Sequence, residues 1–353
     1  RSCNSLSSLI SSSVELEKHQ LAVVYEILKD SEKKYLLCDE VGLGKTIEAG
    51  FVIRQHVLEE GLDSRVLILV PDALIEQWNL ELTKRFHLGD LLNTNQDNDQ
   101  PNIHICSFTN VLNYNETPSM VVVDEAHHIS NFPFSGKLTE KFLFDSISDL
   151  ASQSGVTLLL TGTPMAGHPS AYFSLLHLLN KYNFPLDEQS IETFSQTLPK
   201  QSRFKEVYRL FKPKNNDGLI DGALDDLEVF NLSDNVLQEL IDELRPHVDI
   251  FADEVVQDKR DTLINRLAHY FSQNYIYDYR MLRNSRATGF EESQNNEIEL
   301  LFPGLKAPEL ISWGAPNNGS YLDEHFEQFR SEAIINTDIF HALTLDNFKV
   351  WSE

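Results

Sequence analysis

Two rhythms of apolar residues alternate along the first half of the chain. One is continuous: Leu36 to Cys38, Val66 to Val70, Ile103 to Cys106, Met120 to Val123 and Val156 to Leu160 are short runs that stop abruptly at polar residues. The other has helical spacing, as at Leu16, Leu21, Val24, Ile27 and Leu28, where an amphipathic helix is expected over Glu15 to Leu28. Continuous apolar strands alternating with helical stretches predict an α/β fold whose parallel sheet is covered by helices on both faces. Ligands of such sheets gather beyond the carboxyl ends of the strands. The polar clusters stand there: Asp39-Glu40, Pro71, Ser107, Asp124-Glu125 and Thr161-Gly162-Thr163-Pro164.

The first cluster opens the loop Asp39-Glu40-Val41-Gly42-Leu43-Gly44-Lys45-Thr46. Gly42 and Gly44 let the backbone turn with positive φ, so several N–H groups can surround an anion without interference from a Cβ. A helix expected to begin at Lys45 or Thr46 and to run through Val57 turns its positive end to the same point. Lys45 would lie against the β- and γ-phosphates of a nucleotide, and the Thr46 hydroxyl would complete the shell of a Mg²⁺ that keeps waters. The loop departs in one place from the general pattern G-x-x-x-x-G-K-[ST], carrying Asp39 where glycine is usual.

The Asp124-Glu125 pair follows a buried strand downstream of that loop. One carboxylate can hold Mg²⁺ through water while the next orients and deprotonates the attacking water; two roles need two acids. His127 could then link the nucleotide to the next strand end, whereas His128 reads as a neighbour. Gln20 lies near the start of the first helix. Its amide could pair with an adenine edge, although on spacing alone a solvated helix residue is the plainer reading.

Composition sets limits. A chain of 353 residues, 41% of them hydrophobic, has room for two or three domains, or for one large domain with an insertion. No run approaches the roughly 18 apolar residues of a membrane span. Ser5 to Ser13 is too polar and too short for a signal peptide, so a soluble, cytoplasmic protein with no membrane partner is expected. Cys3, Cys38 and Cys106 show no metal spacing, and the last two fall inside strand runs, as small buried thiols in a reducing compartment do. The net charge of −25, from 54 acidic and 29 basic residues, opposes binding to nucleic acid. The excess is uneven, since Asp217 to Lys259 carries 13 acidic and 2 basic residues.

Taken in order, the loop at 39–46, Val70-Pro71 with Gln77-Trp78 and Glu81, Asp124-Glu125-Ala126-His127, and Leu160 to Pro164 resemble the first RecA-like lobe of the Swi/Snf family of superfamily-two ATPases. That family also carries Asp at the place of Asp39. The run Val41 to Gly50, Thr163-Pro164-Met165 and Arg283-Asn284-Ser285-Arg286 look most like its bacterial RapA-like branch, the RNA-polymerase-associated translocases and their relatives in phage defence. The resemblance implies an ATP-dependent translocase or remodeller of double-stranded DNA. It implies ATP and Mg²⁺ as cofactors, with the loop residues Asp39, Glu40, Gly42, Leu43 and Gly44 around the nucleotide. Gln20 would contact adenine, Lys45 and Thr46 would meet phosphate and Mg²⁺, Asp124 would hold Mg²⁺, and Glu125 would activate water. His127, Thr161 and Thr163 would couple hydrolysis to movement. Pro71, Gln77, Ser107, Thr161, Gly162, Arg283 and Arg286 would track a DNA strand, through backbone N–H groups and hydroxyls as much as through charge. Trp78 reads as a core helix residue rather than a base-stacking one.

The expected organisation is a flexible segment at 1–13, a RecA-like ATP-binding lobe at 14–183, an acidic helical insertion at 184–279, the return strand region of the lobe at 280–302, and a linker or helical segment at 303–353. No Gly-Arg dipeptide occurs, so nothing resembles the arginine motif of the family's second lobe, and a piece of a larger motor is expected to hydrolyse ATP poorly by itself. The acidic insertion reads as a solvated face, or as a segment that screens non-specific DNA or docks a basic partner such as RNA polymerase or a defence complex. Two other functions stay open: a nucleotide-switched interaction module without turnover, and the motor subunit of a restriction-type complex.

Overall fold

The computed structural model describes residues 12–14, 17–40, 42–92, 101–164, 168–230, 232, 234–248 and 257–284, and the short strands 289–291 and 298–300. In chain order the elements are α1 (Lys18–Lys29), β1 (Lys33–Leu37), α2 (Lys45–Glu60), β2 (Val66–Val70), α3 (Ile75–Lys84), the single turn α4 (Gly89–Leu92), β3 (Ile103–Ser107) and β4 (Met120–Val123). Then come α5 (Leu138–Gln153), β5 (Val156–Leu160), α6 (Pro169–Leu179), α7 (Glu188–Thr197), α8 (Gln201–Tyr208), α9 (Asp217–Val229), α10 (Asn235–Leu244), α11 (Gln257–Tyr275) and β6 (Met281–Leu282). A small antiparallel pair, β7 (Gly289–Glu291) and β8 (Ile298–Leu300), follows.

The main sheet has six parallel strands in the order β3-β2-β4-β5-β1-β6. Successive side chains of a strand point to opposite faces, and both faces are buried. Leu37, Ile68, Val122 and Leu158 pack with Val24 and Ile27 of α1, Phe51 and Ile53 of α2, and Trp78 and Leu82 of α3. Leu36, Leu69, Val123 and Leu159 pack with Phe144 and Ile147 of α5 and with Tyr172 and Leu175 of α6. Gly50 permits a close approach on the first face: a Cβ there would lie 2.3 Å from the ring of Phe86, which meets Phe51 edge to face. This is the α/β fold expected from the apolar runs, with RecA-like topology.

Helix α1 begins at Lys18, three residues later than its apolar spacing suggests. A capping box explains the start: Glu17 accepts from the backbone of Gln20, and the Gln20 Oε1 accepts from the backbone of Glu17 at 3.1 Å.

Helices α8 to α11 enclose a separate apolar cluster that includes Phe204, Leu224, Leu244, Leu267 and Phe271. Phe194 of α7 and Tyr277 instead belong to the cluster under the sheet. Two arginines neutralise part of the acidic excess of this region. Arg260 is buried and donates to Asp217 at 2.6 Å, to Asp261 at 2.7 Å and to the carbonyls of Pro213 and Asn215. Arg245 bridges Asp221, Asp225 and Glu228. Among the described residues, no helix is long and apolar enough to cross a membrane.

Candidate functional site: the carboxyl edge of the sheet

Strand β1 delivers the glycine loop to the carboxyl edge. Gly42 and Gly44 have φ of 89° and 93°, and Gly44 is the N-cap of the 16-residue helix α2. Ile47 and Glu48 donate their backbone N–H groups to its carbonyl at 2.8 and 3.1 Å, which leaves the earlier N–H groups of the first turn to point out of the helix end. A Cβ on Gly44 would stand 2.3 Å from the Gln20 Nε2. Gln20 donates from that atom to the Leu43 carbonyl at 2.8 Å, and His19 Nε2 reaches the same carbonyl at 3.2 Å. The Gln20 amide thereby uses one donor and one acceptor and keeps one of each.

Lys45 folds back, donating to the Asp39 carbonyl at 2.8 Å. The Asp39 carboxylate is buried and turns toward Asn284, accepting its backbone N–H at 2.7 Å and its side-chain amide at 3.1 and 3.2 Å. The Asn284 carbonyl in turn accepts from the Glu40 N–H at 3.0 Å. A carboxylate is needed at position 39 to close this contact, and a glycine could not do so. Glu48, one turn into α2, is fully buried with no hydrogen-bond partner on either carboxylate oxygen, and burial pushes its pKa up to about 9, with Asp39 adding to the effect. Burial likewise pushes the Cys38 thiol up to about 12.

Asp124 continues the β4 ladder, its N–H donating to the Leu69 carbonyl at 2.8 Å. Its carboxylate is buried. One oxygen accepts the Trp78 indole N–H at 2.8 Å and the other accepts the Glu125 N–H at 2.9 Å. Desolvation raises the Asp124 pKa, while those two donors and the nearby Lys45 charge oppose the rise. Glu125 sits in the left-handed region at φ 48°, a conformation that costs a non-glycine residue of order 1 kcal/mol or more and so needs support from its surroundings. Its side chain meets His127 Nδ1 at 3.2 Å, and that hydrogen bond is the main reason its pKa is lowered. The Lys45 charge acts on Glu125 as well. His127 Nδ1 also lies 3.2 Å from the Thr161 hydroxyl, which accepts the Thr163 N–H at 3.2 Å. A continuous polar path thus joins the ends of β4 and β5. His128 stacks on His127 with ring centroids 4.4 Å apart.

The other expected contact residues line the same edge. Pro71 follows β2 and is half-buried, Gln77 is exposed on α3, Gly162 is half-buried after β5, and Arg283 is exposed after β6. Ser107 is buried at the end of β3, its hydroxyl 3.1 Å from that of Thr109. Arg280 is tied within the lobe: it pairs with Asp30 and with Glu32 at 2.6 Å and lies over the rings of Tyr35 and Tyr279. Val41, Met165, Arg286, residues 1–11 of the expected segment 1–13, and the expected segment 303–353 lie outside the described residues.

Sequence reasoning missed the roles of three residues. Asn284 was legible only as part of a family-like string, Trp78 only as core, and Glu48 only as a helix residue. The available signal was faint: Glu48 is four residues before the buried Val52 and shares its helix face.

The sheet order, the glycine loop at a helix N-terminus and the acid pair at the end of a strand two places away in the sheet define a RecA-like lobe of the P-loop class. A family model of the SNF2-related domain matches residues 16–248, well over half of the chain, and the chain belongs to that family. It is 28% identical over 320 residues to the RNA polymerase-associated protein RapA of Proteus mirabilis, an alignment covering 83% of this chain and 31% of that protein. It is 35% identical over 185 residues to RapA of Yersinia pseudotuberculosis, covering 47% of this chain and 19% of that protein. The chain spans about a third of the length of such relatives. Among solved structures, the Sulfolobus solfataricus SWI2/SNF2 ATPase core in complex with dsDNA is similar with a TM-score of 0.41 and 16% identity, covering 74% of this chain and 65% of that one. The family match makes the chain an SNF2-related domain, and the RapA proteins are among its relatives in sequence.

Proposed function

We propose that this lobe binds Mg-ATP at the glycine loop and that the full-length protein uses its hydrolysis to move along double-stranded DNA. The observation that carries the reading is the convergence of Lys45 with Asp124 and Glu125: one cation acts on both strand-end carboxylates beside a helix N-terminus. The donor set fits the expected cofactors. N–H groups and Lys45 face an anion, while a buried carboxylate and the Thr46 hydroxyl offer hard oxygen ligands to Mg²⁺.

In this reading Lys45 leaves the Asp39 carbonyl for the β- and γ-phosphates, and Asp39 keeps the loop seated on Asn284. Glu40, Gly42, Leu43 and Gly44 shape the cradle, and the spare donor and acceptor of Gln20 meet the adenine edge. Thr46 and Asp124 would hold Mg²⁺, which would supply charge neutralisation for the phosphates. Glu125 orients water and takes its proton, and its lowered pKa keeps it ionised for that task. The path through His127, Thr161 and Thr163 reports on the site to the next strand end. Pro71, Gln77, Ser107, Thr161, Gly162 and Arg283 form the DNA-tracking edge, where hydroxyls and backbone groups meet phosphates despite the acidic charge. The relatives' name suggests RNA polymerase as a partner of the full-length protein, with the acidic helices at 184–279 as its docking region. ATP-dependent displacement of a third strand from a triplex by the full-length protein tests translocation; displacement that proceeds equally without ATP rules it out.

A further inference from the structure

Trp78 is fully buried, yet its indole is not merely apolar filling. It lies on α3 beneath the sheet, in the cluster that holds Leu82 and Phe86, and its single polar atom is spent on Asp124. A carboxylate at a strand end can rotate about its terminal bond. Here the two oxygens are held by two different donors, the indole N–H from α3 and the Glu125 N–H of the adjacent peptide. Only the first of these comes from another element. It is also a rigid donor, because the indole is locked by packing at 1% exposure.

Metal-ligating carboxylates depend on such outer hydrogen bonds for their orientation, and loss of one typically costs about 10–100-fold in metal affinity. The geometry points to Trp78 as a positioning residue: its indole N–H holds the Asp124 carboxylate in the orientation that receives the divalent cation of the nucleotide complex. This inference rests on the Mg-ATP reading of the site. It distinguishes metal-dependent from metal-independent nucleotide binding, since the indole N–H is spent on Asp124, the residue that would hold the metal, and not on the loop that would hold the nucleotide.

The test uses the full-length protein and two variants. Trp78→Phe removes the donor with some loss of volume. Replacement of Trp78 by β-(3-benzothienyl)alanine, in which sulfur takes the place of the N–H, removes the donor at nearly constant shape and stays informative if the first variant folds poorly. ATP dissociation constants are measured in EDTA and across a Mg²⁺ titration. The expected result is metal-free ATP affinity within about twofold of the parent and a Mg²⁺-dependent enhancement reduced about tenfold. An enhancement unchanged in the benzothienyl protein overturns the inference and leaves Trp78 as packing. A parent protein that binds no Mg-ATP overturns the ATPase reading and this inference with it.

Discussion

The carboxylate of Asp39 accepts both the backbone N–H and the side-chain amide of Asn284, two residues 245 positions apart in the chain. The contact fastens the start of the glycine loop to the end of the last strand of the main sheet, next to the ladder in which Cys38 donates to the Leu282 carbonyl at 2.8 Å. The cradle is therefore complete only when the return strand has docked. Asn284→Ala leaves a buried carboxylate with fewer donors and should cost on the order of 1–3 kcal/mol of stability, read by urea denaturation. Nucleotide affinity should fall in parallel. An unchanged denaturation midpoint would show that the clamp carries no energy.

Gly44 meets two demands at once, a φ of 93° and space for the Gln20 amide. Gly44→Ala introduces left-handed strain of roughly 1–2 kcal/mol and a Cβ in the path of Gln20. Binding of a fluorescent ATP analogue should drop at least about tenfold, equivalent to 1.4 kcal/mol, while circular dichroism shows a folded lobe. Parent-like binding would mean that the loop tolerates rearrangement.

Glu48 gives a signed pH effect. Its folded-state pKa of about 9 lies above the ordinary carboxylate value of 4.5. Between these, the unfolded chain has released a proton that the folded one retains, so this residue's contribution falls as pH rises through the window. Glu48→Gln removes that slope. The variant should gain up to about 5 kcal/mol over the parent at pH 8, from about 1.4 kcal/mol per pH unit above 4.5, and the gain should shrink toward pH 5. Equal pH dependence of the two melting curves would show that Glu48 is ionised at neutral pH.

Much of the lobe was legible from sequence because its strands are buried on both faces and therefore continuous in apolar character. The loop was legible because only glycine serves at its two left-handed positions. What stayed hidden lies in contacts between distant elements. Asn284 and Asp39 share no periodicity, and an indole N–H aimed at a carboxylate leaves the same trace in the pattern as any core tryptophan. Arg280 pairs with Asp30, 250 positions earlier in the chain, and with Glu32, and no local pattern announces such partners. The late start of α1 was set by Glu17 and Gln20 pairing with each other's backbone, a local hydrogen bond to which apolar spacing is blind.

In the proposed reaction Glu125 acts on water beside a nucleotide held by Lys45. Steady-state ATP hydrolysis by the full-length protein, with and without duplex DNA, compared between the parent and Glu125→Gln, tests this most directly. Duplex DNA should stimulate the parent, and the substitution should reduce the stimulated rate by at least about 10²-fold while Mg-ATP still binds. Hydrolysis indifferent to DNA and equal in the two proteins would contradict it.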